Sequence, residues 1–173
     1  MGSDTAILVL HIAASLVWVG GGFSTVLTGT MRKGRASADA QVAQLQSLTF
    51  LGLYLFFPAM IIAVGSGLLM VMSAPQGWEA FAVLGLIGVA ATLAYNALIL
   101  HPTGRRAVAV ARERGTIAAL VELKRFSRLA KFDLALRVSV VAVMVIKPDW
   151  TDYASLGVLA AILAVGAMVS FAE

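Results

Sequence analysis

The chain contains no cysteine. Disulfides, thiolate metal sites and cysteine nucleophiles are thereby excluded, and any metal or haem must rely on His, Met, carboxylate or Tyr. Charge is scarce too: 13% of the 173 residues are Asp, Glu, Lys or Arg, against about a quarter in an ordinary soluble domain. There is no glycine-rich nucleotide loop, no H-E-x-x-H pair, no G-x-S-x-G elbow and no pair of carboxylates within one apolar run, so hydrolase and ATPase chemistry has no support. Repeats of about 20 to 50 residues and low-complexity tracts are missing as well. Met1 to Thr5 lacks the positive start of a secretory signal, so the first apolar run is expected to stay in the mature protein.

What remains is apolar: 60% of the residues are hydrophobic. No Pro-, Ser- or Gly-rich linker divides them, which predicts a single domain. The expected fold class is all-α, a polytopic transmembrane bundle, because a backbone crossing lipid must satisfy its polar groups internally. Spans are predicted near 6–29, 48–73, 80–100, 132–146 and 154–172, each an apolar run measured against a ~30 Å hydrocarbon layer. Pro58 and the Gly65-Ser66-Gly67 step predict a kink in the second span. Pro75-Gln76-Gly77 reads as a turn, with Trp78 at the headgroup boundary. Pro102 and Gly104 are expected to end the third span, leaving a basic segment in which Ile117, Leu120, Val121, Lys124 and Arg128 predict an amphipathic helix lying on the membrane. The fourth span is short and includes Asp133 and Arg137.

Of the thirteen Lys and Arg residues, Arg32, Lys33 and Arg35 follow the first span and eight more, from Arg105 to Lys131, follow the third. The positive-inside rule then puts these loops and Glu173 in the cytoplasm and the N-terminus outside, in a multi-pass protein of the cell (inner) membrane. The formal charge of +4 therefore reports orientation and lipid headgroups, not nucleic acid. The partners expected are the bilayer and other membrane subunits or further copies of the chain.

His11 lies roughly 8 Å below the outer boundary at ~1.5 Å per residue. Ser15, Trp18 and Gly22 follow it on one helical face. One use of that face is an axial haem or metal ligand, with the glycines at 20–22 admitting a flat cofactor; the other is an interhelical hydrogen bond with glycines used for packing. Met70 and Met144 (with Met72) sit at the level of His11 and could complete a His/Met metal site, although each is more simply a packing residue. His101, at the far end of the third span, is too deep to share a metal with His11. Asp133 and Arg137, at i and i+4, can pair within the membrane edge, or Arg137 can bind an anionic group such as a propionate, with Lys147 doing the same at the opposite end. Thr92, Tyr95 and Asn96 form a polar patch on the third span, more apt to bridge helices than to bind substrate.

Leu10-His11-Ile12-Ala13-Ala14 with Trp18-Val19-Gly20-Gly21 resembles the first helix of the HemJ-type protoporphyrinogen oxidases and the related CopD-like copper-resistance membrane proteins. Arg125-Phe126 through Val143-Met144-Val145-Ile146-Lys147-Pro148 resembles the HemJ-type ending. The resemblance covers about residues 6 to 148. It implies a polytopic protein binding b-type haem or copper, with His11 as ligand and Lys147 as the carried-over basic residue, acting as an oxidoreductase on a porphyrin, quinone or metal. The chain departs from that pattern where Asn96 stands in place of the second histidine of a Tyr-His pair, where no histidine occurs near Met31, and in possessing a fifth span. A sister branch without cofactor, a non-catalytic subunit of a larger complex and a small transporter are the other expectations.

Overall fold

The computed structural model describes residues 3–32, 36–74 and 78–171. The predicted turn at 75–77, Lys33, Arg35 and Glu173 lie outside these residues. The described chain is helical throughout: α1 (Ser3–Arg32), α2 (Ala38–Leu51), α3 (Phe57–Ser73), α4 (Ala80–Tyr95), α5 (His101–Arg114), α6 (Thr116–Ile146) and α7 (Tyr153–Phe171). Two π-helical turns, Gly52–Phe56 and Asn96–Leu100, join α2 to α3 and α4 to α5.

Those turns are the answer to two prolines in mid-helix. Proline has no N–H and its ring collides with the carbonyl four residues back, so an α-helix cannot run through it undisturbed. Here the residue before each proline reaches one position further: the Phe57 amide donates to the Gly52 carbonyl, and the His101 amide to the Asn96 carbonyl. Each turn widens, takes up the proline and lets the rod continue. Pro102 and Gly104 therefore do not end the third span as expected, and Ala80–Arg114 is one apolar-to-basic rod of 35 residues.

Four such rods are long and apolar enough to cross a membrane: Asp4–Met31, Ala38–Ser73, Ala80–Arg114 and Tyr153–Phe171. Between 11% and 22% of their most apolar windows is buried within the chain. So much unburied apolar surface is compatible with lipid as solvent. Trp78, Trp150 and Tyr153 are exposed together at one end of the bundle, as aromatic side chains at a headgroup boundary are. Along the second rod, Tyr54 lies about 29 Å from Ser73 at ~1.5 Å per residue, and it stacks on Phe50 at 4.6 Å. These two aromatic levels are one hydrocarbon thickness apart.

Beyond Tyr54 the rods protrude. The 36 residues of Ala38–Ser73 extend about 54 Å, and the α2 end packs with α5 and the start of α6 into a knob at one end of the bundle. Val42, Leu45, Ala107, Ala119 and Leu123 form its core, and Arg106 pairs with Glu122 at 3.0 Å. Gly115, at φ +86°, makes the tight reversal from α5 to α6 that a side chain would strain. The expected surface-lying amphipathic helix is not a separate element: α6 runs unbroken from Thr116 to Ile146. Ile117 and Val121 are exposed while Ala119 and Leu123 are buried, because α6 meets α2 and α5 through the latter pair.

α6 is the axis of the bundle, packing against α1, α2, α4, α5 and α7. Small residues allow the approach: a Cβ on Gly85 would strike the Met144 methyl, one on Gly88 would lie 2.7 Å from a Val140 methyl, and one on Gly166 would meet Ala135. α6 ends at Lys147 in the left-handed conformation, its amide returning to the Val143 carbonyl at 2.9 Å. α7 begins under an Asp152 cap, whose Oδ1 accepts from the Ser155 amide at 3.1 Å.

Candidate functional site

Among the described residues α3 packs closely on α1 and α4 on α6, whereas α3 and α4 do not pack extensively on each other. A lateral cleft of about 390 Å³ is left between the second and third rods. Both π turns line it, and α1 and α6 supply its floor. Its walls are apolar: Leu53, Phe56, Phe57, Met60, Leu93 and Leu100. His101, Gly104 and Leu48 lie toward the knob, while Trp18 and Arg137 lie deep between the two aromatic levels.

The floor is polar and almost fully buried. Asp133 and Arg137 are 3% and 8% exposed. Arg137 Nε and Nη2 both donate to Asp133 Oδ2, at 2.9 and 2.8 Å. Arg137 Nη1 crosses to α1 and donates to the Trp18 carbonyl oxygen at 2.6 Å. The guanidinium also stands over the Trp18 indole, 5.4 Å from its centroid. Asp133 Oδ1 accepts from Asn96 Nδ2, whose second hydrogen goes to the Thr92 carbonyl at 2.9 Å. Nearby, the Tyr95 hydroxyl donates to the Leu129 carbonyl at 3.1 Å. A carboxylate and a guanidinium buried this far from water neutralise one another, which lowers the cost of burying either.

Of the residues singled out in the sequence, Trp18, Thr92, Asn96, Asp133 and Arg137 come together here. The pairing of Asp133 with Arg137 is present, with both side chains buried among helices. The glycines are occupied differently from the expectation of a flat cofactor. A Cβ on Gly21 would lie 2.6 Å from the Phe56 ring, and one on Gly22 would lie 2.8 Å from Arg137 Cδ. Glycine is needed at those positions for this chain's own side chains.

His11 is elsewhere, in the seam between α1 and α3. Its Nδ1 lies 2.7 Å from the Ala63 carbonyl oxygen and 3.3 Å from Ser66 Oγ; the carbonyl fixes Nδ1 as the protonated nitrogen. This is the interhelical hydrogen bond foreseen as the alternative role. Met70, on α3, is half-buried, and Met144 turns its methyl to Gly85 on α4. Among the described residues no group of three or more His, Asp or Glu is placed to hold a metal ion. Lys147 lies at the opposite end of α6 from the knob, 5.4 Å from the centroid of the Phe81 ring, and shares no site with Arg137.

The cleft walls escaped the sequence because nothing in a linear pattern pairs Phe56 with Asn96. The two prolines were the available signal: each follows a π turn, and both turns face the same space. No protein-family model matches the chain, and no curated protein and no solved structure matches it either.

Proposed function

We propose that the chain is a five-span protein of the cell membrane, with its basic knob in the cytoplasm, and that the lateral cleft binds a small molecule arriving from the lipid phase. α6 is the fifth span. Its apolar half carries Lys131, Asp133 and Arg137, and that charge alone sets it apart from the four rods that hydropathy selects. The distribution of Lys and Arg supports the orientation.

One observation carries the binding reading: buried polar groups converge on the floor of a cavity whose walls are otherwise apolar, the usual composition of a ligand site. Stability does not require such a floor, since hydrophobic replacements of a buried ion pair are often neutral or stabilising. The function is one of binding or transfer and includes no bond-changing step. Extraction of lipids and lipid-soluble cofactors from protein purified in mild detergent, followed by mass spectrometry, tests it. A stoichiometric small molecule present in wild type and absent from Gly52→Leu is expected; Gly52 lines the cleft and a Cβ there meets nothing within 4 Å, so the substitution adds bulk at the cleft wall without striking the chain at its first atom. Identical extracts from the two proteins would refute the reading.

A haem or copper centre on His11 is the second reading, favoured by the resemblance and by one geometric fact. With Nδ1 held on the Ala63 carbonyl, Nε2 keeps its lone pair, as metal-ligating histidines do. The absorption spectrum and metal content of wild type beside His11→Ala decide the matter, and a spectrum without a Soret band together with no copper ends it.

A further inference from the structure

We infer that the cleft selects an uncharged amphiphile whose headgroup presents both a hydrogen-bond acceptor and a donor, read by Arg137 and by Asn96 Oδ1. The inference rests on the binding role just proposed and adds the chemistry of the ligand.

The first support is charge. Among the described residues, Asp133 and Arg137 are the only Asp, Glu, Lys or Arg side chains that line the cavity, and they are bonded to each other twice. The floor therefore has no net charge to offer. An anion taking the Arg137 guanidinium for itself would leave the Asp133 carboxylate uncompensated between helices, and a cation drawn to Asp133 would do the same to Arg137. This argues against the propionate-type ligand expected for Arg137 from its sequence position.

The second support is unfilled hydrogen-bonding capacity. A guanidinium has five N–H donors, of which three are engaged, two at Asp133 and one at the Trp18 carbonyl. The two left over are the donors a ligand carbonyl or hydroxyl oxygen would meet. Asn96 is the complement. Both its partners, Asp133 Oδ1 and the Thr92 carbonyl, are acceptors, so the amide nitrogen must face them and Oδ1 is left without a donor. In a setting without bulk water these groups favour a ligand that satisfies both. The aromatic and aliphatic walls then hold its apolar body.

The test uses Trp18 as reporter. In the full chain carrying Trp78→Phe and Trp150→Phe, Trp18 is the one remaining tryptophan of three. Three amphiphiles with the same dibrominated acyl chain, bearing a glycerol, a carboxylate or an ammonium headgroup, are titrated in detergent at a pH where the last two are ionised. Saturable quenching by the glycerol ester at a concentration at least tenfold below that of the ionic pair is expected. Asn96→Ala should reduce that preference to under threefold. Equal or tighter binding of the carboxylate or the ammonium compound would overturn the headgroup assignment while leaving the cleft as a binding site. Absence of saturable quenching by all three, or quenching unchanged in Gly52→Leu, would instead remove the binding role itself.

Discussion

Arg137 on α6 donates to the main-chain oxygen of Trp18 on α1 at 2.6 Å and covers the indole of the same residue. One side chain thus ties two spans together in two ways, through a backbone lone pair and through a π face. It can do so because Gly22, one turn further along α1, leaves room for the arginine stem. Glycine, tryptophan and arginine form one unit, and most of what can be tested about this protein passes through it.

Removing one member of the buried pair should be far worse than removing both. Asp133→Ala leaves a guanidinium uncompensated and should cost about 3 to 5 kcal/mol, whereas Asp133→Leu with Arg137→Met should stay within about 1 kcal/mol of wild type or exceed it. Unfolding in graded dodecyl sulfate reads both. The double variant should nevertheless lose ligand, which separates the floor's contribution to binding from its contribution to stability.

Two glycines of α1, two positions apart, should respond in opposite directions. Gly22→Ala puts a methyl 2.8 Å from Arg137 Cδ, an atom held by the bonds of its own guanidinium, and should destabilise by about 1 to 3 kcal/mol. Nothing lies within 4 Å of a Cβ at Gly20, so Gly20→Ala should be neutral or stabilise by up to about 1 kcal/mol through helix propensity. The same unfolding assay applies to both.

His11→Phe removes the bond to the Ala63 carbonyl between α1 and α3. Interhelical hydrogen bonds in membranes contribute about 0.6 kcal/mol on average and rarely more than about 1.7, and the loss measured by dodecyl sulfate unfolding should fall in that range. Ser66 keeps its own bond to the Ile62 carbonyl at 2.6 Å, so the α3 backbone is not disturbed.

Asp152 provides a pH dependence outside the spans. Its hydrogen bonds from the Ser155 side chain and amide hold the carboxyl below the usual range. A carboxyl depressed in the folded state stabilises above its unfolded pKa, about 3.9, and loses that contribution as pH falls through the lower folded value. Hydrogen exchange at the start of α7 should therefore quicken on acidification below about pH 4, and Asp152→Asn should flatten this response.

How far the sequence carried depended on the range of the interaction. Charge-free runs located α1 and α7 to within a few residues, and the i, i+4 spacing of Asp133 and Arg137 anticipated their pairing, because both signals are local. Pro102 misled because its effect depends on whether the preceding turn can widen, and that is settled by the packing of Asn96–Leu100 against the cleft. The segment at 116–129 was legible as a helix but not as part of a longer one: no proline or glycine interrupts the residues that follow, and α6 runs on from Thr116 to Ile146. Asn96 meeting Asp133 across 37 positions left no linear trace beyond two polar residues in apolar surroundings.

The most direct test of the account is whether α6 crosses the membrane despite its charges. With no native cysteine, single cysteines at Ile117 and at Trp150, both exposed and at opposite ends of α6, can be labelled in intact cells and in inverted vesicles with a membrane-impermeant maleimide. Ile117→Cys should react only from the cytoplasmic side and Trp150→Cys only from the outside. Labelling of both positions from the same compartment would contradict the five-span bundle and the cleft built on it.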